Sequence, residues 1–207
     1  MASASSPTPE NDEDGTIRRD HAWMERIGRG DHEAFRELVT AYQDVVIGTV
    51  ARMLGNAADA EDIAQQVFLR IWRSAGRYRP DAKFTTYLFT ITRNLVFNET
   101  RRRSRKREVS GDEREDSFHL QHESPASARP DAELQHAELS RAVDAAIAAL
   151  PEPQRMAVVL RRYEEMPYDE IANVLDLTVP AVKSLLFRAR GALRQSLAAH
   201  LDSGGDS

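Results

Sequence analysis

The stretch from Phe84 to Arg107 constrains the fold of this chain most, because its apolar residues recur with the period of an α-helix. Phe84, Leu88, Ile91 and Leu95 follow one another at steps of four, three and four residues. This is the spacing of a stripe that is buried along one side of a helix. We therefore predict one long amphipathic helix around which the rest of the chain is organised.

The opposite side of this helix repeats the same period in aromatic and polar residues. They are Tyr87, Thr90, Asn94, Asn98 and Arg101. An aromatic ring can stack on a base, an asparagine offers both a donor and an acceptor to a base edge, and arginines neutralise phosphate. This face is typical of a site for single-stranded nucleic acid. An amphipathic surface helix with a charged tail explains the stretch equally well.

The composition excludes several classes of protein. The 207 residues contain no cysteine, which excludes disulfides, thiolate metal sites and cysteine nucleophiles. No apolar run reaches the length of a membrane helix, and residues 1–15 lack the basic and apolar parts of a signal peptide. We expect a cytoplasmic protein that is not inserted in a membrane and that consists of two small domains.

Charge is unevenly distributed along the chain, although the formal net charge is only -5. Six of the seven residues 101–107 are basic, whereas residues 108–138 contain nine acids and only two arginines. This pattern indicates a local site for a polyanion, followed by an acidic tether that keeps the molecule from binding polyanions indiscriminately.

The sequence contains no motif of an enzyme. A glycine-rich phosphate loop, a nucleophile with a neighbouring base and a cluster of carboxylates and histidines are all missing. His119 and His122 have the spacing of a weak metal pair, but no third ligand has a fixed relation to them, and we interpret them as linker histidines. We expect no catalytic residue, no metal and no cofactor.

Composition and period divide the chain into segments. Residues 1–15 and 202–207 are predicted to be disordered tails. Residues 16–107 and 132–201 have helical periods, and residues 108–131 have the acidic, aperiodic composition of a flexible linker. The predicted fold class is all-α, with two small helical domains that are independent of each other and are joined by this linker.

A second helix, Asp59 to about Ser74, has a broad apolar side and a polar side. The polar side contains Asp62, Gln65, Gln66, Leu69 and Arg73. Leu69 is out of phase with the apolar positions. The side is either an ordinary solvated face or a docking surface on which Leu69 is the apolar anchor.

The C-terminal part ends in a predicted helix-turn-helix. A helix from about Tyr168 to Leu175 contains the small Ala172, and a turn then leads to Thr178 as the N-cap of the last helix. Exposed basic and polar positions on that helix favour DNA binding. They are Lys183, Ser184, Arg188 and Arg194. Phe187 is ambiguous, because it could close the core or contact a thymine methyl group.

At this point two stretches resemble one family. DAEDIAQQVFLRIW and FTTYLFTITRNLVFN, with the arginines that follow, resemble region two of the bacterial ECF sigma factors, the small alternative initiation factors of RNA polymerase. LPEPQRMAVVLRRYEEMPYDEIANVLDLTVPAVKSLLFRARGALRQSL resembles their region four. The resemblance covers about Thr16 to Arg107 and Leu139 to Leu201, and two motifs in the right order are more specific than either one alone.

The resemblance implies a role for each of three groups of residues. A group that would hold the clamp helices of core RNA polymerase consists of Asp62, Gln65, Gln66 and Leu69. A group that would capture the melted minus-10 strand consists of Tyr78, Tyr87, Asn94, Asn98, Arg101 and Arg102. A group that would read the duplex minus-35 element consists of Thr178, Lys183, Ser184, Phe187 and Arg188. The implied partners are core RNA polymerase and promoter DNA, and an anti-sigma factor is a further candidate.

Three positions depart from the family's pattern. Tyr87 lies where many relatives have Trp, Asp176 where many have Gly, and Pro167 where a Ser would cap the following helix. Tyr keeps an aromatic face and Asp can adopt the left-handed conformation at modest cost, so these changes concern promoter preference more than function. A helix-turn-helix regulator that acts without polymerase is the alternative, but it leaves the polar face of Phe84 to Arg107 unused.

Overall fold

The computed structural model describes residues 9–110 and 130–202, and all regular structure in these two ranges is helical. The first range contains α1 (Pro9–Gly28), α2 (His32–Leu54), α3 (Ala57–Ser74), a short 3-10 turn (Ala75–Arg77) and α4 (Phe84–Ser110). The second contains α5 (Pro130–Ala148), α6 (Glu152–Arg162), α7 (Tyr168–Leu175) and α8 (Val179–Asp202). The predicted all-α fold class is confirmed.

Local signals set the ends of α2. The Asp31 carboxylate accepts hydrogen bonds from the backbone N–H groups of Glu33 and Ala34, at 2.9 and 3.1 Å. Gly55 ends the helix in the left-handed conformation at a φ of 72°, which costs glycine little because it has no Cβ. Asp is a residue type that commonly caps the start of a helix and Gly one that commonly ends it, so both ends of α2 follow from local residue types.

Three other helix ends differ from the sequence analysis. α1 begins at Pro9, inside the predicted tail, while α4 extends to Ser110 and α5 begins at Pro130, both inside the predicted linker. The rest of the two tails and of the linker, with His119 and His122, lies outside the described residues.

The core of the N-terminal unit forms around α4. Phe84, Leu88 and Leu95 are buried as predicted, and Ile91 is half-buried. They pack with buried residues of α2 and α3, among them Leu38 and Ile71. Truncating one of these side chains to alanine costs about 2–5 kcal/mol of folding free energy.

The two helical units, predicted to be independent, share an interface in this structure. α4 packs against α7, and α2 packs against α5 and α6. The Lys83 ammonium lies 2.7 Å from the Glu170 carboxylate, and the Thr49 hydroxyl donates to Glu164 at 2.8 Å. α4 packs against helices of both units, and a second set of its residues is buried beside the predicted stripe. This second stripe consists of Phe89, Thr92 and Val96.

Candidate nucleic-acid interface

An aromatic corner forms where α3 ends and α4 begins. The Tyr87 hydroxyl lies 2.6 Å from the hydroxyl of Ser74, the last residue of α3. The Tyr78 ring packs edge-on against Tyr87, with 5.1 Å between centroids, and against Phe84, with 6.4 Å. Tyr78 and Tyr87 are therefore half-buried and held in place, rather than exposed on the polar face as the sequence suggested for Tyr87.

The Tyr78 hydroxyl is buried and has no hydrogen-bond partner among the described residues. Burial raises the pKa of Tyr78 to about 12, so the phenol is protonated and can donate at neutral pH. The ring borders a cavity of about 600 Å³ that Arg18, His21 and Pro80 also line. A buried donor without a partner costs free energy that a ligand with an acceptor can recover.

His21 is a neighbour of this corner that the sequence analysis missed. Its ring centroid lies 6.0 Å from that of Tyr78, and its Nε2 atom is also buried without a partner in the described part of the chain. Only the packing of α1 against the 3-10 turn brings the two rings together. No local sequence signal connects them.

The polar face of α4 continues from this corner. Asn94, Asn98 and Arg101 are exposed, as predicted. The Arg93 guanidinium donates from Nε and Nη2 to the Asn94 Oδ1 atom, at 3.1 and 2.7 Å. Arg101 Nη2 donates to the Asn98 Oδ1 atom at 3.4 Å. Each asparagine therefore has its carbonyl oxygen engaged by a neighbouring arginine.

The basic end of α4 contains an ion-pair network. Arg102 donates from Nε and Nη2 to the Glu99 carboxylate, both at 2.7 Å. Arg103 bridges Glu99, at 2.9 Å, and Asp59 of α3, at 2.6 Å. The hydrogen bond from Arg102 and that from Arg103 lower the pKa of Glu99 to about 2. Arg102 must therefore exchange a carboxylate for a phosphate to bind DNA, whereas Arg101 bonds to an amide and a backbone carbonyl.

The polar side of α3 is exposed along its whole length. Asp62, Gln65, Gln66 and Leu69 all face solvent, and Leu69 has 49% of its surface exposed. Ile63, Val67 and Ile71 are buried on the other side of the helix. The structure thus places an apolar side chain among polar ones on a single open face, as the sequence predicts.

The helix-turn-helix consists of α7 and α8. Asp176 ends α7 in the left-handed conformation, with φ 57° and ψ 50°, and the Thr178 hydroxyl accepts a hydrogen bond of 3.4 Å from the backbone N–H of Ala181. Phe187 is 74% exposed, so it does not close the core. It shares an exposed face of α8 with three other predicted contacts, which are Lys183, Ser184 and Arg188.

Comparisons with known proteins identify the family. The family model of sigma-70 region 2 matches residues 38–106, and that of sigma-70 region 4 matches residues 140–193. The ECF RNA polymerase sigma factor SigW of Bacillus subtilis is 31% identical over 179 residues, which cover 84% of this chain and 94% of that protein. The chain belongs to the ECF sigma factors. The sigma-H factor of Pseudomonas aeruginosa is 34% identical over 184 residues, or 88% of this chain and 95% of that protein.

Solved structures agree with this family. CnrH, solved in complex with the cytosolic domain of CnrY, is 26% identical, with a TM-score of 0.62, over 87% of this chain and 98% of CnrH. The sigma factor RpoE of Bartonella quintana, solved with the anti-sigma factor NepR, is 21% identical and shares the fold, with a TM-score of 0.66, over 79% of this chain and 96% of RpoE. The ECF sigma factor fold is thus found across nearly the whole length of both structures.

Membership of the ECF sigma factors makes the protein a transcription initiation factor that works with RNA polymerase, and not an enzyme. In the described ranges no helix combines the length and the apolar character needed to cross a bilayer. The same ranges contain no group of three or more His, Asp or Glu residues arranged to hold a metal ion.

Proposed function

We propose that this sigma factor binds core RNA polymerase through the exposed side of α3, reads the minus-35 duplex with α8 and holds the melted minus-10 strand with α4 and the aromatic corner. The proposal assigns these roles to the side chains identified above. It places the protein in the cytoplasm, where polymerase and the chromosome are.

The polar face of α4 is the observation that carries the proposal. It presents Asn94 and Asn98 to solvent on the helix that begins at the aromatic corner, where the Tyr78 hydroxyl is buried and unpartnered among the described residues. A base that has left the duplex needs an aromatic or apolar surface to stack on and polar groups for its edge. Both are present along the first half of α4 and the loop before it, and Arg101 follows where the strand's phosphates would continue.

The exposed side of α8 supports the second assignment. A recognition helix enters the major groove with three or four side chains that reach base edges. Lys183, Ser184, Phe187 and Arg188 occupy one open face, where Arg188 can contact a guanine edge and Phe187 a thymine methyl group. Thr178 lies at the N-terminus of the helix, where backbone N–H groups bind phosphate favourably.

An anti-sigma factor is a further candidate partner. Of the similar structures, CnrH was solved with the cytosolic domain of CnrY. The exposed Leu69 on α3 and the exposed apolar Phe187 on α8 offer surfaces that such a partner could cover. A helix-turn-helix regulator acting without polymerase accounts for α7 and α8 but not for the match to sigma-70 region 2 or for the polar face of α4.

The decisive experiment separates melting of the promoter from binding to it. Replacing Asn94 and Asn98 together by Ala should reduce open complex on a duplex promoter by about tenfold or more, since contacts to an extruded base are worth about 1–3 kcal/mol each. Closed-complex formation should change little. A premelted promoter should restore part of the loss, because the cost of opening is gone.

Permanganate footprinting of the melted region measures this effect directly. The matched control is Gln43→Ala, which removes an exposed amide from α2 and not from α4. Full permanganate reactivity with the double variant on duplex DNA would mean that Asn94 and Asn98 do not hold the melted strand.

A further inference from the structure

We propose that Arg93 is a positioning residue that fixes the Asn94 amide, so that Asn94 presents only hydrogen-bond donors to the extruded base and selects against adenine. The favoured base is one with two adjacent acceptors on one edge, that is, cytosine or guanine. This inference rests on the proposed capture of a base by α4, and it adds the chemical basis of base selection.

The orientation of the Asn94 amide follows from the chemistry of arginine. A guanidinium carries only donors, so the Asn94 atom that receives two bonds from Arg93, at 3.1 and 2.7 Å, must be the carbonyl oxygen. The amino group then points away from Arg93. Side chains at neighbouring helix positions do not normally face each other, so the Arg93 side chain has to fold along the helix surface to make this contact.

Asn98 is held in the same way, although less tightly. Its carbonyl oxygen accepts from Arg101 Nη2 at 3.4 Å. Asn94 and Asn98 are one turn apart and therefore lie side by side on the helix surface. Both lone pairs of the Asn94 oxygen are engaged, so the Asn94 amide offers a base only its amino group, whereas the Asn98 oxygen keeps one free lone pair.

An Asn94 amide held in this orientation cannot show the usual preference of asparagine for adenine. An unconstrained asparagine pairs with adenine through two bonds, in which its oxygen accepts from the N6 amino group and its amino group donates to N7. The Watson–Crick and Hoogsteen edges of adenine both place the N6 donor beside an acceptor, so a donor-only amide that spans either edge meets a donor there. Guanine offers O6 and N7 as adjacent acceptors, and unpaired cytosine offers O2 and N3.

The contact between Arg93 and Asn94 matters for base selection and not for folding. Asn94 is exposed, and polar contacts in water contribute little to stability. When a base covers the site, water leaves, and the hydrogen bonds become stronger in the less polar surroundings. Variants at Arg93 should therefore fold normally and should differ from the parent chain in the base that they accept.

The test measures open complex with core polymerase on promoters in which each base of the melted minus-10 strand is varied in turn. At one position the parent protein should favour cytosine or guanine over adenine by about tenfold or more. Arg93→Ala should bring this ratio within about threefold by raising activity on the adenine promoter, because the freed amide can rotate. Arg93→Lys keeps a donor for the Asn94 oxygen and should retain most of the preference.

The matched control is Arg105→Ala, which removes the same charge from α4 at a residue that bonds to the Arg101 backbone carbonyl. It should weaken binding to all four promoters equally. A uniform loss for Arg93→Ala as well would show that Arg93 contacts phosphate and would overturn the inference.

The Asn94→Ala variant separates this inference from the proposed function. If Asn94→Ala leaves every base preference unchanged, α4 does not read an extruded base and the proposed function fails. If Asn94→Ala relaxes the preference while Arg93→Ala preserves it, base capture stands and the role of Arg93 is refuted.

Discussion

At the scale of single residues, the Tyr87 ring is held by one hydroxyl contact and by packing against other rings. Its OH group lies 2.6 Å from the Ser74 hydroxyl, which in turn bonds to the Arg70 carbonyl at 2.6 Å. The ring also packs against Tyr78 and Phe84. A tyrosine at this position can therefore serve where many ECF sigma factors have tryptophan, because its hydroxyl links the start of α4 to the end of α3.

Removing either hydroxyl should have the same small effect on stability. Tyr87→Phe should lower the free energy of unfolding by about 0.5–1.5 kcal/mol, the usual contribution of one hydrogen bond. Ser74→Ala should cost a similar amount, and the double variant should cost clearly less than the sum of the two. Urea denaturation of the four proteins measures this coupling. Strict additivity would show that the two hydroxyls do not interact.

At the scale of helices, α4 shows what the sequence could predict and what it could not. Its period predicted the buried stripe and the exposed asparagines, because both follow from the geometry of an isolated helix. The second buried stripe, with Phe89 and Val96, was missed. α4 packs against α7 as well as against α2 and α3, and a helical period does not reveal how many partners a helix has.

The side-chain contacts of two arginines in α4 and of Ser74 at the end of α3 were missed for a similar reason. Arg103 belongs to the basic run that was interpreted only as positive charge, yet it joins α4 to Asp59. Arg93 was not singled out, although it bonds to Asn94. Nothing in the sequence around Ser74 indicated that its hydroxyl would contact Tyr87. The faces of the helices could be predicted from the sequence, but contacts between particular side chains depend on tertiary packing.

The turn between α7 and α8 contains a residue in a conformation that glycine adopts more easily. Asp176 has a φ of 57° and is exposed. Asp176→Gly should raise the free energy of unfolding by about 0.5–1 kcal/mol, since glycine has no Cβ to clash in this conformation. Thermal denaturation should show an increase of a few degrees.

The matched control for this turn is Asp169→Gly in the first turn of α7. At that helical position glycine should lower stability by about 0.5–1 kcal/mol, and an acid that favours the helix dipole is lost as well. A loss of stability in both variants would show that Asp176 is not strained and that its side chain stabilises the turn.

At the scale of the whole molecule, the interface between the two units contains acids whose protonation favours contact. Burial raises the pKa of Glu164, although Thr49 donates to it and Arg52 attracts its charge. Burial also raises the pKa of Glu152, against the effects of Thr100 and Arg101. Both carboxylates therefore bind protons more readily when the units are in contact than when they are apart.

This difference fixes the sign of the pH dependence. The ordinary pKa of a glutamate is 4.5, so between that value and the raised one the contacting state holds more protons. Contact should strengthen as pH falls through this window and weaken as pH rises. Glu164→Gln, which is neutral and can still accept from Thr49, should favour contact at neutral pH and reduce the pH dependence.

Small-angle scattering at a series of pH values measures the compactness on which this prediction depends. Glu165→Gln is the matched control, because it removes the same charge from the next residue, whose side chain is exposed. It should scatter like the parent chain. An interface that loosens as the solution is acidified towards the ordinary glutamate pKa would contradict the prediction.

The interface between the two units holds α4 and α8 much closer together than the two promoter elements are. α4 packs against α7 and α7 against α8, and packed helices lie about 8–10 Å apart, so α4 and α8 lie within about 20 Å of each other. The minus-10 and minus-35 elements are about 25 base pairs apart, or about 85 Å of duplex at 3.4 Å per pair. One chain cannot reach both elements while the units remain in contact.

The units should therefore separate when the protein binds polymerase and promoter DNA, and energy transfer between two dyes can detect it. The chain has no cysteine, so Gln43→Cys on α2 and Ala192→Cys on α8, both exposed, would provide the two labelling sites. Transfer should be efficient in the free protein and should fall sharply in the promoter complex. Adding Glu164→Gln should slow that fall, because it stabilises the contacting state, whereas Glu165→Gln should not. Energy transfer could instead stay efficient in a complex in which footprinting shows protection of both promoter elements. That result would contradict the prediction, because the DNA would then bend to reach a protein whose two units remain in contact.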